Sequence, residues 1–304
     1  MPPHPRLFFG MRPGINQQGE TTVSINSLGW RGPEFDQKPR PDLYRVMFLG
    51  DSSVWGDGVS QEESFPYLFE KLLQQLDGRA VESLNAATPG YSSVQSRIVF
   101  EDHVDIFRPN AVVIASLWSD IIVRPWQDKD LLRKFSTEGG YRFDSPLRDA
   151  LRLSALFSWL EARIEGFKGI PDNHQIVMSA MINPDVHPWS DGRPRVSIAD
   201  HRENLRAIAD AARDRGMDIC LLILQCDPVR FPWPKERLAA YRQNFRDAAA
   251  AYGALLVDVP ALYPKEPTAL SAMFYDGIHP TAEGHRLIAE ELARVFSAKQ
   301  ASAR

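Results

Sequence analysis

Three residues in the sequence have the types and the spacing that nucleophilic chemistry requires. Asp276 and His279 lie three residues apart in the segment "YDGIHPTAEGH". In a tight loop, an acid at this spacing can accept a hydrogen bond from Nδ1 of the imidazole and leave Nε2 free to take a proton. Such a base needs a hydroxyl from elsewhere in the chain, and Ser52 in "FLGDSS" is the candidate. The pattern predicts a serine nucleophile, a histidine base and an acid that orients the base.

Buried strands and amphipathic helices must bring these residues together. Runs rich in Val, Ile and Leu are typical of strands buried on both faces; they occur at 44–50, 80–86, 110–118, 217–225 and 254–259. Apolar residues at helical spacing predict helices between and after them, at 64–76, 94–107, 197–216, 235–253 and 281–298. This alternation predicts an α/β fold with a three-layer α/β/α architecture. The order of the elements suits a flavodoxin-like, doubly wound sheet of five parallel strands.

Ligands of such sheets bind at the carboxyl ends of the strands, where four sequence features are expected. They are Gly50-Asp51-Ser52, Gly90 in "NAATPGYSS", Ser119-Asp120 and the segment with His279. A serine at a strand-to-helix turn also directs its own backbone N–H at the reacting centre. Gly56 and Gly58 are expected to let the following loop bend close to that centre.

The chain divides into an arm, one domain and a short tail. Residues 1–43 are polar and contain the alternating stretch "TTVSINSLGWRG", which predicts an arm with a strand or hairpin that packs on the core. The domain covers 44–297, and the tail 298–304. An insert at about 121–196 contains a predicted helix at 146–164. Long connections of this kind commonly determine specificity, so we expect the insert to contact the substrate.

Composition excludes several classes of partner. The chain has 304 residues and a net charge of −4, without a dense Lys/Arg cluster, so we expect no nucleic-acid binding. No apolar run approaches ~20 residues, so we expect no membrane span. Neither a metal site nor a cofactor motif is recognisable. Cys220 and Cys226 are too far apart on one strand to form a disulfide. We interpret them as buried free thiols, and we expect the protein in the cytoplasm because the first residues do not resemble a leader.

The motifs resemble those of the SGNH hydrolases, also called the GDSL esterase/lipase superfamily. The resemblance covers about residues 44–297 and is carried by three motifs: Gly50-Asp51-Ser52-Ser53, Asn85-Ala86-Ala87-Thr88-Pro89-Gly90 and Asp276-Gly277-Ile278-His279-Pro280. It implies that Ser52 is the nucleophile, His279 the base and Asp276 its partner. It also implies that the backbone N–H groups of Ser52 and Gly90 stabilise the oxyanion.

One motif departs from the superfamily pattern. The third block of the superfamily normally ends Gly-x-Asn-Asp, and the asparagine supplies a third oxyanion donor. Here these positions are Leu117-Trp118-Ser119-Asp120, so Ser119 brings a shorter donor to the oxyanion hole. Losing one such donor typically lowers the rate by about 10²–10³. A hydroxyl could recover part of that effect.

The resemblance implies a serine esterase that forms an acyl-enzyme, with a small acyl ester of a sugar or secondary metabolite as substrate. An acyltransferase with the same triad, and a non-catalytic binding module, are the alternatives. Ser52 could instead be only a helix N-cap, and Asp276 could only close a turn. Weaker candidates for substrate binding lie at the strand ends and in the insert; they are Asp51, Trp118, Asp120, Trp126, His187 and Trp189.

Overall fold

The protein is an α/β structure whose centre is a five-stranded parallel sheet. The computed structural model describes residues 3–4, 6–18, 21–124, 127–137 and 192–303. The strands are β1 (Pro3–His4), β2 (Phe8–Phe9), β3 (Gly14–Gln18), β4 (Thr21–Ile25), β5 (Leu43–Leu49), β6 (Ala80–Asn85), β7 (Ala111–Ile114), β8 (Asp218–Ile223) and β9 (Leu255–Asp258). The helices are α1 (Ser52–Trp55), α2 (Phe65–Asp77), α3 (Ser93–Phe107), α4 (Trp118–Ile121), α5 (Asp128–Thr137), α6 (Ile198–Arg213), α7 (Lys235–Tyr252), α8 (Val259–Leu262), α9 (Pro267–Ser271) and α10 (Ala282–Ala303).

The sheet order is β6-β5-β7-β8-β9, and all neighbouring pairs are parallel. Helix α2 packs against α10, whereas α6 packs against both α3 and α7. These two groups cover the sheet, which leaves β5, β7 and β8 almost completely buried. The predicted three-layer, doubly wound fold is therefore confirmed. Strand β7, predicted at 110–118, is shorter than predicted, because the chain leaves the sheet after Ile114 and turns into α4.

The first residues contact the core through a hairpin and several aromatic side chains. Strands β3 and β4 pair antiparallel, and β4 lies in the alternating stretch for which a strand or hairpin was predicted. A bridge joins Arg31 to Asn85 at the end of β6. Phe8, Phe9 and Trp30 are almost completely buried in the same hydrophobic core as the sheet. These contacts place the first part of the chain beside the edge strand β6.

Both cysteines are buried and neither forms a disulfide, as predicted. Burial raises the pKa of the Cys226 thiol to about 11, so it is protonated at neutral pH. The helix predicted at 146–164 lies outside the described residues. None of the described helices is long and apolar enough to cross a bilayer.

Arg31 joins the N-terminal segment to the loop that follows α1. It is 2% exposed, and its guanidinium donates to the carbonyls of Trp55 (3.1 Å), Gly56 (2.5 Å) and Val59 (2.7 Å). The guanidinium also stacks on the Trp55 ring, 4.5 Å from its centroid. Burial lowers the pKa of Arg31 to about 10, so the side chain is still charged at neutral pH. One buried cation thereby fixes three carbonyls of a single loop.

We expect Arg31→Met to lower the free energy of unfolding by about 2 kcal/mol, because it removes three hydrogen bonds to buried carbonyls and leaves that of Val59 without a donor among the described residues. Urea unfolding measures this change. Arg12→Met is the control, since Arg12 is exposed, and its effect should stay within about 0.5 kcal/mol. Equal stability of the two variants would contradict a structural role for the Arg31 contacts.

Candidate active site

A sharp turn after β5 presents Ser52. Gly50 is required there, because a Cβ at this position would come within 2.3 Å of Val54 Cγ2. Ser52 is the first residue of the four-residue helix α1, and Gly56 ends that helix with φ +93°. The predicted bend at Gly56 and Gly58 is confirmed, since both have positive φ. The turn leaves Ser52 half-buried at the carboxyl edge of the sheet.

Asp51 fixes this turn from inside the protein. Its carboxylate caps α1 by accepting from the Ser53 N–H at 3.0 Å. It also accepts from the N–H groups of Trp118 (3.0 Å) and Ser119 (3.4 Å) at the start of α4. Asp51 is 0% exposed, and burial raises its pKa. The sequence placed Asp51 among the substrate-binding candidates, but the structure gives it a cap and a loop contact instead, because no part of it reaches the surface.

A second tight loop presents His279. Asp276 Oδ1 accepts from the N–H groups of Ile278 (3.1 Å) and His279 (3.0 Å), which folds the loop back on itself. Gly277 has φ +115°, and a Cβ there would lie 2.7 Å from the Phe231 ring. The Ser53 hydroxyl donates to the carbonyl of Ile278 at 3.0 Å and so joins this loop to the Ser52 turn. Ser53 is therefore already engaged, whereas Ser52 faces the histidine.

The three predicted side chains meet in a hydrogen-bonded chain. His279 Nε2 lies 2.7 Å from Ser52 Oγ, and His279 Nδ1 lies 2.5 Å from Asp276 Oδ2. The His279 side chain is only 12% exposed, so these contacts are shielded from water. This is the geometry of a nucleophile, a base and a group that orients the base.

The electrostatics of the site favour a charged imidazole. Burial lowers the pKa of His279, but the hydrogen bond and charge of Asp276 and the charges of Asp57 and Asp51 outweigh it and raise the pKa above its usual value. Burial raises the pKa of Asp276, but the hydrogen bond and charge of His279 outweigh it, and the net shift is downward. An imidazolium that forms when Ser52 loses its proton is thus stabilised where it arises.

The loop after β6 lies beside the Ser52 turn. The Thr88 N–H donates to the carbonyl of Gly50 at 3.2 Å, and Gly90 adopts φ +82°. Within the described part of the chain, the backbone N–H groups of Ser52 and Gly90 have no hydrogen-bond acceptor. Ser119 lies in α4 after β7 and is 5% exposed. The three predicted oxyanion donors therefore stand at the ends of adjacent strands.

Two further candidates for substrate binding are buried in the structure. Asp120 is 0% exposed, and its carboxylate accepts from the Ser93 N–H at 2.7 Å. Burial raises the pKa of Asp120 to about 8. Trp118 is 1% exposed and stacks on Trp233, with ring centroids 6.1 Å apart. Both side chains are buried and contact other parts of the fold. The structure therefore gives them a structural role instead of the predicted substrate contacts. Three candidates lie outside the described residues: Trp126, His187 and Trp189.

Sequence reasoning missed two residues next to the base. Asp57 Oδ2 lies 3.8 Å from His279 Nε2, on the side of the imidazole that faces Ser52. Tyr275 is half-exposed, with its ring centroid 6.1 Å from that of His279. Tyr275 also packs on Gly58, where a Cβ would come within 2.3 Å of its ring. The sequence did contain a signal for Asp57: it lies between Gly56 and Gly58, in the loop that was expected to bend close to the reacting centre.

Comparisons with known proteins give a family and a fold that this chain resembles. The model of the GDSL-like lipase/acylhydrolase family matches residues 179–287, a stretch that includes Asp276 and His279. A lipase/acylhydrolase from Enterococcus faecalis has a similar structure, with 16% identity over 84% of this chain and 96% of that one, and a TM-score of 0.51. These matches support the SGNH, or GDSL, hydrolase superfamily that the motifs predicted.

Two other structures share the fold of this chain. A G-D-S-L family protein from Desulfitobacterium hafniense DCB-2 is 14% identical, covers 83% of this chain and 98% of that chain, and has a TM-score of 0.50. A variant of an acetyl xylan esterase from Geobacillus stearothermophilus is 14% identical, covers 83% and 93%, and also has a TM-score of 0.50. A search of curated proteins finds no significant match. The predicted superfamily and its class of enzyme, a serine hydrolase that acts on esters, are confirmed.

We expect Asp57→Asn to shift the acidic limb of the kcat/KM profile for ester hydrolysis to lower pH. A histidine base must be neutral to accept a proton, so with His279 as the base, activity is expected to rise as pH increases through the pKa of His279. The Asp57 charge contributes to raising that pKa, and its removal lowers the pKa. Initial rates between pH 5 and 9 measure the limb.

Asp42→Asn is the control for this experiment, because the Asp42 carboxylate is 71% exposed and pairs only with Arg40 among the described residues. It should leave the limb in place. An unchanged limb in Asp57→Asn, or a shift to higher pH, would show that Asp57 does not stabilise the imidazolium.

Proposed function

We propose that the protein is a serine esterase in which Ser52, His279 and Asp276 form the catalytic triad. The observation that carries the proposal is the 2.7 Å contact between Ser52 Oγ and His279 Nε2, with Asp276 on the opposite imidazole nitrogen. A helix N-cap or a turn residue does not need this contact. The same residues at the strand ends would then perform both steps of an acyl-enzyme mechanism.

In the first step, Ser52 Oγ attacks the ester carbonyl carbon and its proton passes to His279 Nε2. The carbonyl π electrons move to the oxygen, where the N–H groups of Ser52 and Gly90 stabilise the negative charge. When the intermediate collapses, the bond from carbon to the alcohol oxygen breaks. His279 then donates its proton to the departing alcohol, which leaves an acyl ester on Ser52.

Water completes the cycle. His279, neutral again, takes a proton from a water molecule as that water attacks the acyl carbon. The second tetrahedral intermediate uses the same backbone donors, and its collapse breaks the bond to Ser52 Oγ. The proton returns from His279 to the serine, and the carboxylic acid leaves. Asp276 holds Nδ1 throughout and stabilises the imidazolium.

The alcohol part of the substrate must lie next to His279 Nε2, because Nε2 protonates it. Asp57 Oδ2 is 3.8 Å from that nitrogen. A carboxylate there can accept hydrogen bonds from hydroxyl groups of the alcohol, and it repels anionic groups. We therefore propose a small acyl ester of a polyhydroxylated alcohol, such as a sugar or a secondary metabolite, as the substrate class.

A fluorophosphonate probe tests the nucleophile. We expect the folded wild-type protein to be labelled and Ser52→Ala to lose both labelling and turnover of an acetylated sugar, because the phosphorus atom bonds to the activated hydroxyl. Ser53→Ala tests the register of the motif and should still be labelled, since Ser52 is intact in it. Circular dichroism shows whether each variant is folded.

Two outcomes would overturn the proposal. Without labelling of the folded wild type, the protein would be a non-catalytic module with an SGNH fold. Labelling that persists in Ser52→Ala but disappears in Ser53→Ala would put the nucleophile one residue later. Product analysis in the presence of a second alcohol distinguishes hydrolysis, which releases free acid, from acyl transfer, which forms a new ester.

Ser119 should contribute a weaker oxyanion contact than an asparagine. We expect Ser119→Ala to lower kcat by about tenfold with KM little changed, because this contact forms mainly in the transition state. Ser119→Asn introduces the residue usual in the superfamily and is the matched comparison. If neither variant changes kcat when chemistry is rate-limiting, position 119 lies outside the oxyanion hole.

A further inference from the structure

Arg195 is a buried cation that contacts the Gly90 turn. The residue is 6% exposed, and one guanidinium nitrogen donates to the carbonyl oxygen of Gly90 at 2.6 Å. A second nitrogen donates to Gln95 Oε1 at 2.8 Å, and Nε donates to Asp128 Oδ1 at 2.7 Å. The guanidinium thus joins a loop, the first turn of α3 and the first residue of α5.

The partners of Arg195 are themselves fixed. Gln95 Oε1 also accepts from the Ser92 N–H at 2.8 Å, as part of the capping box of α3. The Ser92 hydroxyl donates to Asp128 Oδ2 at 2.6 Å. Asp128 is 1% exposed, so the ion pair with Arg195 is shielded from water. Each polar group of the cluster has a partner, which makes it rigid.

The backbone of Arg195 is held next to α4, the helix that carries Ser119. The Arg195 N–H donates to the carbonyl of Ile122 at 2.8 Å, and the Val196 N–H donates to that of Asp120 at 3.1 Å. The guanidinium therefore reaches Gly90 from a backbone that is hydrogen-bonded to α4, the helix that follows β7. Its position relative to the oxyanion donors is set by hydrogen bonds at both ends of the side chain.

We propose that Arg195 is a positioning residue for the oxyanion hole and sets the orientation of the Gly90 N–H; this inference rests on the proposed function. Gly90 has φ +82° and no side chain, so its two flanking peptide planes can rotate freely unless something holds them. Arg195 holds the carbonyl on one side of the Cα, and the Tyr91 N–H of the same peptide plane donates to the Thr88 carbonyl at 3.0 Å. The Gly90 N–H lies in the other plane, whose orientation relative to the first depends on the backbone angles of Gly90. Fixing the carbonyl plane therefore limits the directions in which this N–H can point, and in the proposed function it donates to the oxyanion.

The experiment compares Arg195→Lys with Arg193→Lys. A lysine at 195 keeps a positive charge beside Asp128, but a single ammonium cannot replace the planar fork that donates to three groups. We expect kcat to fall by about tenfold to 10²-fold with KM changed by less than about twofold, because the contact acts in the transition state. The affinity for a boronic acid inhibitor, which mimics the tetrahedral intermediate, should fall by a similar factor.

Arg193 is the matched control because it lies two residues away and is 59% exposed. Its guanidinium donates to Gln127 and Asp130 and makes no contact with Gly90. Arg193→Lys should leave kcat and the inhibitor affinity unchanged. Rates are normalised to the sites that a fluorophosphonate labels at completion, so that a loss of folded protein does not count as a loss of rate.

The outcomes separate this inference from the proposed function. A wild type without labelling or turnover would refute the esterase itself. An active wild type with unchanged kcat and inhibitor affinity in Arg195→Lys would refute only the positioning role. A variant that loses affinity for the substrate and for the boronic acid by the same factor would also overturn it, because the contact would then not be specific to the transition state. If the lysine variant does not fold, Arg195→Met is measured in the same way, and the same criteria apply.

Discussion

The hydrogen bond between Ser52 and His279 connects loops that are 227 residues apart in the sequence. Its length depends on two tight turns, each stabilised by an aspartate. Asp51 caps α1 from the interior, and Asp276 closes the histidine loop through the N–H groups of Ile278 and His279. The parallel sheet supplies the common edge at which these turns meet. A small displacement of either turn would lengthen the contact, so the precision of the site comes from the turns and its location from the sheet.

The acids around His279 explain why the site can be both buried and charged. An isolated imidazolium at this depth would be unfavourable. Burial, together with the charges of Arg31 and His279, lowers the pKa of the fully buried His285 to about 3. At His279 the charges of Asp276, Asp57 and Asp51 reverse that effect. The same protein thus holds one histidine neutral and another ready to accept a proton. The difference lies in the neighbouring charges, because both imidazoles are shielded from water: carboxylates surround His279, whereas the charges that act on His285 are positive.

Sequence reasoning predicted the elements and the triad but not the supporting contacts. The five strands, and the roles suggested for Ser52, Asp276 and His279, follow from local patterns: apolar runs, a glycine turn and an acid three residues before a histidine. Position at a strand end does not reveal whether a side chain points to the ligand or to the interior, and Asp51 and Asp120 therefore appeared as substrate contacts. Both carboxylates instead satisfy backbone N–H groups inside the fold.

Arg195 had no such local signal, because its contact with Gly90 spans 105 residues. Phe9 approaches the same glycine from the N-terminal segment, where a Cβ at Gly90 would lie 3.2 Å from its ring, and the Tyr91 hydroxyl donates to the Phe9 carbonyl at 2.8 Å. The Gly90 turn is therefore enclosed by segments that do not belong to the sheet. Strand ends can bring a glycine N–H near a nucleophile, but a flexible residue keeps one orientation only when its surroundings hold it. In this protein, the N-terminal segment with Phe9 and the end of the insert with Arg195 provide that restraint.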